Sequence, residues 1–157
     1  MECPRTAGIV AWDEHHQKLY FAITTAHSWD KPWTIYNYGL LTHRITRFTN
    51  TWAAGFGAAA VSVSGQYLAY VKVHHMSPAA GCGSITDVEV VDLWDRRMGR
   101  PSLVFSPSDN VFWINELKWS SHSTVEYIAT AHRRDCVEVP GEQAINGEVD
   151  VAGLSFR

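Results

Sequence analysis

The feature that most constrains this chain is the rhythm of its apolar stretches, which are short, alternate with a period of two, and nowhere show the 3.6-residue spacing of an amphipathic helix. In QYLAYVKV, Tyr67, Ala69, Val71 and Val73 fall on one face and Leu68, Tyr70 and Lys72 on the other. DVEVVDLW alternates from Val88 to Val90, slips by one at Val91 and continues to Leu93, as either a bulge or a strand buried on both faces would. Comparable segments lie at 18–24, 34–38, 45–49, 59–63, 102–105, 115–119, 126–131, 136–139 and 149–156. An all-β chain is expected. Its 157 residues suit one domain with a real core, and 46% apolar residues with seven Trp argue against disorder.

Three stretches repeat one pattern: GIVAWDEHHQKLYFAIT, AAAVSVSGQYLAYVKV and INELKWSSHSTVEYIATA. Each is a strand ending in Trp or Val, then a polar turn, then an apolar strand built around an aromatic. With Trp12, Val63 and Trp119 taken as equivalent, the interval is about 50 residues, slightly long for the four-strand blades of a propeller. Blade-like units are expected at 8–58, 59–111 and 112–157, with the extra length in loops at 25–30 and 74–84.

VEVVDLWDRRMGRPSLVF followed by INELKWSSHSTVEYIATAHRRDCVEV resembles consecutive WD repeats, through Leu93-Trp94-Asp95, Gly99, Trp119-Ser120, Ile128-Ala129-Thr130-Ala131 and Asp135. AVSVSGQYLAYVKV is similar instead to the repeats of TolB-like and peptidase-type propellers, with Ser64-Gly65-Gln66-Tyr67-Leu68-Ala69-Tyr70 at the place of their Ser-Pro-Asp-Gly turn. No Gly-His pair precedes INELKWS, and Pro140-Gly141 stands where a further Trp-Asp belongs. The resemblance implies β-propeller blades of four-stranded antiparallel sheets forming an incomplete ring, since propellers close with four to eight blades. It also implies that Trp94 seals the gap between blades, at about 3–5 kcal/mol on truncation to Ala, and that Gly99 supplies a positive φ in the following turn.

Composition narrows function mostly by exclusion. A net charge of −3 offers no field for nucleic acid, and no apolar run reaches the length that spans a bilayer. The start MECPRTAGIV does not read as a secretory signal, so a cytoplasmic protein without membrane contact is expected. Cys3, Cys82 and Cys136 are odd in number and widely spaced, which suggests reduced thiols and no zinc site. His15-His16 and His74-His75 are adjacent pairs, whose rings point apart on a strand, and read as surface residues. There is no G-x-S-x-G elbow, and Asp13-Glu14 reads as turn chemistry. No enzyme, metal or cofactor is expected.

The cluster HSWDKPWTIYNY supplies the aromatic candidates for partner binding, Trp29, Trp33 and Tyr36, with Arg96 and Arg97 as candidate contacts for an acidic partner. Trp33 and Tyr36 read more readily as packing aromatics between blades, while Trp29, in a polar loop before Lys31-Pro32, is expected to be exposed. Trp94-Asp95-Arg96-Arg97 resembles the Trp-Asp-x-Arg tail by which some WD-repeat proteins dock to a ubiquitin-ligase adaptor. The expected function is a non-catalytic module for protein–protein interaction, with self-association or further blades completing the ring. Two alternatives stay open: the propeller portion of a larger hydrolase, and a small β-sandwich that binds carbohydrate through Trp29, Trp33 and Tyr36.

Overall fold

The computed structural model describes residues 6–24, 33–48, 55–75, 85–95, 97–99, 110–133 and 144–156. These form three antiparallel sheets, each a meander in which chain neighbours pair, and none closes into a barrel. The first contains β1 (Thr6–Asp13), β2 (Lys18–Thr24), β3 (Trp33–Gly39) and β4 (Arg44–Arg47). The second contains β5 (Gly55–Val61), β6 (Tyr67–His75), β7 (Ile85–Asp92) and β8 (Arg97–Gly99). The third contains β9 (Asn110–Trp119), β10 (Thr124–Arg133) and β11 (Ile145–Asp150), so three strands stand among the described residues where four were expected. The stretches 102–105 and 136–139 lie outside the described residues. The divisions expected at 58/59 and 111/112 fall inside β5 and β9, because GFGAAAV and NVFWIN begin their strands with small or irregular residues that break the alternation.

The second sheet is the middle layer. Ala69, Val71, Val88 and Val90 pack against Ile114, Trp119, Val125, Ala129 and Val149 of the third sheet. Leu68, Tyr70 and Val91, on the opposite face, pack against Tyr20 and Ile35 of the first. Both faces of β6 and β7 are therefore core. This resolves the slip at Val91, because β6 and β7 pair without a break from Tyr67↔Asp92 to Val73↔Thr86, so the sequence lost its alternation through two-sided burial and not through a bulge.

The first strand of the middle sheet makes this layering possible. β5 lies against β1 on one side and β9 on the other. Gly57, Ala58, Ala59 and Ala60 keep it thin; a Cβ at Gly57 would stand 3.2 Å from the Val71 Cβ. Each of the three first strands also carries an irregularity in its pairing with the second: between Ile9 and Ala11, between Phe56 and Ala59, and opposite Ile128 and Ala129. Such bulges bend a strand and increase its twist, which lets three inner strands converge.

Trp94 does not have the role expected of it. β7 ends at Asp92, whose Oδ1 accepts the backbone N–H groups of Trp94 at 2.9 Å and Asp95 at 3.2 Å and so folds the next residues into a turn. Trp94 sits on that turn, 62% exposed. Gly99 is paired with Val90 in β8 and is not a turn residue. Asp13 and Asp150 end β1 and β11 with the same device, accepting the N–H of His16 at 3.1 Å and of Ala152 at 3.0 Å. The latter stops β11 at Asp150 and starts a 3-10 turn, Val151–Gly153, where a strand over 149–156 was expected.

The sealing aromatic is Trp119. It is 8% exposed, donates its Nε1–H to the Ala60 carbonyl at 2.9 Å, and stacks on Tyr67 with centroids 5.9 Å apart. Phe156 stacks on the same tyrosine. The expected equivalence of Trp12, Val63 and Trp119 fails at its middle member. Val61 faces Leu68 across its hairpin as Trp12 faces Leu19 and Trp119 faces Val125, whereas Val63 is a turn residue, 76% exposed. Trp12 and Trp119 match in register yet not in environment, for Trp12 is 44% exposed.

Trp119→Ala is expected to destabilise the fold by about 3–5 kcal/mol, and Trp94→Ala by less than about 0.5 kcal/mol. Urea unfolding of the two variants beside the parent chain checks the contrast, and equal losses would contradict it.

Candidate functional site

Strand direction gathers the turns at one end of the molecule. In each meander the hairpin after the first strand and the turn after the third strand point the same way, and hydrogen bonds tie the turns of the first two sheets into one rim. The Leu40 N–H donates to the Gln17 carbonyl at 2.9 Å, joining the β3–β4 turn to the β1–β2 turn. His15 Nε2 donates to the Val63 carbonyl at 2.7 Å, joining that turn to the β5–β6 turn of the neighbouring sheet. The Leu93 N–H donates to the Gln66 carbonyl at 2.7 Å, bringing in the β7–β8 turn.

The turns are shaped by backbone choices readable in the sequence. Gly65, at φ +70°, lets the SVSGQY turn reverse, and it leaves no room for a side chain, since a Cβ there would lie 2.8 Å from His15 Cβ. Ser62 Oγ accepts the Tyr67 N–H at 2.9 Å and closes the same turn. Gln17 and His43 adopt φ of 50° and 51° in the other two turns, and His43 Nδ1 hydrogen-bonds with the Tyr38 hydroxyl at 2.9 Å.

This rim presents apolar side chains among polar ones such as Glu14, Thr42, Ser64 and Asp95. Leu41 is 81% exposed, and Leu40, Val63 and Trp94 stand exposed beside it on turns of the first two sheets. The corresponding turn of the third sheet is Ser120-Ser121-His122-Ser123, so the apolar row stops there. Four large apolar side chains on hydrogen-bonded turns, with the polar β1–β2 turn between the Leu40-Leu41 pair and Val63, can bury area against a partner with little ordering cost, because the backbone is already held. Scattered single hydrophobics are ordinary on a surface, whereas a row on connected turns is not.

Of the expected site residues, Trp29 and Arg96 lie outside the described residues. Arg97 opens β8, paired with Asp92 just past the Trp94 turn. Trp33 and Tyr36 are both half-buried on β3 but point to opposite faces: Tyr36 pairs with Phe21 and stacks on it, while Trp33 shares the face of buried Ile35. They do not form one platform. Sequence reading missed Leu40, Leu41 and Val63, since exposed aliphatics in turns look the same as strand ends until pairing is known. It named Trp94 and expected it to seal two blades, whereas Trp94 is exposed on a turn.

His15 and His16 have structural partners. His15 spans two sheets, and His16 Nδ1 donates to Asp13 Oδ2 at 2.6 Å, with that carboxylate fully buried. Among the described residues, no three His, Cys, Asp or Glu side chains gather in a group able to hold a metal ion, and no helix is long and apolar enough to cross a membrane. No protein-family model matches this sequence, and no curated protein matches it significantly.

Gly65→Ala is expected to destabilise the chain by about 1–3 kcal/mol, through a strained φ and the clash with His15. Equilibrium unfolding checks this. A change within about 0.5 kcal/mol, the range of an ordinary surface substitution, would show that the hairpin moves away from His15 freely.

Proposed function

We propose that this chain is a non-catalytic binding module of β-propeller type, its three sheets acting as blades and its rim of turns holding a protein partner. The observation that carries the binding role is the row Leu40, Leu41, Val63 and Trp94 on turns joined by hydrogen bonds from one sheet to the next. The blade reading is supported by three successive meanders whose first strands lie together, each with its bulge.

Recognition in this reading divides by chemistry. Trp94 is the anchor, because a large, stiff side chain buries much area at small entropic loss. Leu41 and Val63 extend the apolar strip on either side of the His15 link. Arg97 opens the strand after the Trp94 turn and is the residue we assign to a carboxylate of the partner. The partner is accordingly a protein segment with two or three apolar side chains and an acidic flank.

A displayed peptide library selected on the full chain tests the proposal, with the triple variant Leu41→Ser, Val63→Ser, Trp94→Ser as counter-target. Enriched sequences are expected to be apolar with acidic flanks and to bind the triple variant at least tenfold more weakly, while its melting temperature stays within a few degrees of the parent's. Selection of nothing, or of sequences that bind both forms equally, would overturn it.

A further inference from the structure

The two ends of the stack are chemically unlike. On the first sheet, the face turned away from the middle sheet carries a cross-strand row Trp12, Leu19, Tyr38 and Ile45, defined by direct pairing, with Phe21 and Tyr36 stacked beside it at 6.0 Å between centroids. No other described strand lies against this face. Trp12 and Ile45 are exposed, Ile45 at 62%. On the third sheet, the corresponding outer face carries the row Lys118, Glu126 and Glu148, all exposed, with Glu116 next to it.

We propose that the outer face of the first sheet packs on the same face of a second copy of this chain, forming a two-fold dimer through sheet-on-sheet contact. The argument is one of complementarity. A head-to-tail arrangement would press the carboxylates of Glu116, Glu126 and Glu148, with Lys118, onto an aromatic surface whose one charged group on the described strands is Arg47, paired with Tyr36. Three carboxylates would then face two cations, and burying unpaired charge is far more costly than burying apolar surface is favourable. The polar face is what a stack shows where it ends. The apolar face is matched only by a surface of its own kind, and a second copy supplies one by symmetry.

Area sets the strength. Four strands at ~4.8 Å spacing and ~20 Å length make a face of about 400 Å² in projection, so two copies remove on the order of 800–1,000 Å² of accessible surface, at or just under the lower limit of a specific interface. The dimer is thus a concentration-dependent one. This surface is separate from the rim of turns, and the proposal does not rest on the partner assigned to that rim.

Sedimentation equilibrium of the full chain across a hundredfold concentration range tests it, beside Ile45→Glu and Ile45→Arg, Ile128→Glu on the third sheet's outer face, and Trp94→Ser on the rim. The parent and the Ile128 and Trp94 variants are expected to share one monomer–dimer equilibrium. Both Ile45 variants, whose side chain is exposed and whose melting curve at low concentration should match the parent's, are expected to dissociate at least tenfold more readily. A parent that stays at 17.6 kDa throughout, that grows beyond two copies, or that dimerises equally with charge of either sign at position 45 would overturn the proposal. Loss of peptide binding by the Trp94 variant with dimerisation intact separates this result from the rim's.

Discussion

The burial of the middle sheet on both faces is the constraint on which the rest of this fold depends. A four-stranded sheet with one dry face and one wet face would end the structure at two layers. Here Ala69, Val71, Val88 and Val90 face one neighbour and Leu68, Tyr70 and Val91 the other, so among the described residues each outer sheet gains its core cluster from the middle sheet. Each fully buried aliphatic contributes about 1.5–3 kcal/mol relative to exposure. β5 lies between β1 and β9, and a side chain at Gly57 would crowd Val71 in the next strand.

Two-sided burial also explains the charges inside. Glu89 lies on the β7 face that looks to the first sheet, between Tyr70, which donates its hydroxyl to Glu89 Oε2 at 2.7 Å, and Lys72, whose Nζ donates to Oε1 at 3.2 Å. All three are buried. An ion pair of this kind contributes little net stability because desolvation opposes attraction, yet removing one member strands the other at high cost. Its effect is on register. A slip of one residue between β6 and β7 would turn Glu89 toward the valines facing the third sheet and leave Lys72 with no carboxylate. The pair fixes an alignment that the apolar residues, present on both faces, specify only weakly.

That same weakness limited what the sequence made legible. The strand 18–24 matches β2 and the segment beginning at Tyr67 matches β6, because turns with Gly, Ser, His and Gln bound them sharply. The start of β5 was missed, since Gly and Ala carry no alternation to read. The Trp-Asp pair misled by resemblance: Asp92, two residues before Trp94, ends the strand through its side-chain bonds, and nothing in the spacing distinguishes a tryptophan that seals two layers from one that rides on a turn. Trp119 was visible as a repeat position, but its bond to the Ala60 carbonyl joins residues far apart in the chain. For the site, Trp33 and Tyr36 looked like a cluster because they are close in sequence; three residues apart on a strand, they have opposite parity and cannot be neighbours on one face.

The rim and the outer faces then differ for a reason rooted in geometry. A strand must alternate, so a sheet that packs on one side still has to choose the chemistry of its other side, and the third sheet chose carboxylates and lysine while the first chose aromatics. A turn is under no such constraint. Its residues answer only to φ and to hydrogen bonding at a few positions, such as Gly65 and Ser62, and the remaining positions are open to whatever a partner selects. Leu41, Val63 and Trp94 occupy those open positions. Polar residues there would satisfy the turns equally well, so folding does not require them to be apolar, and the partner contact proposed above is the reading that assigns them a use.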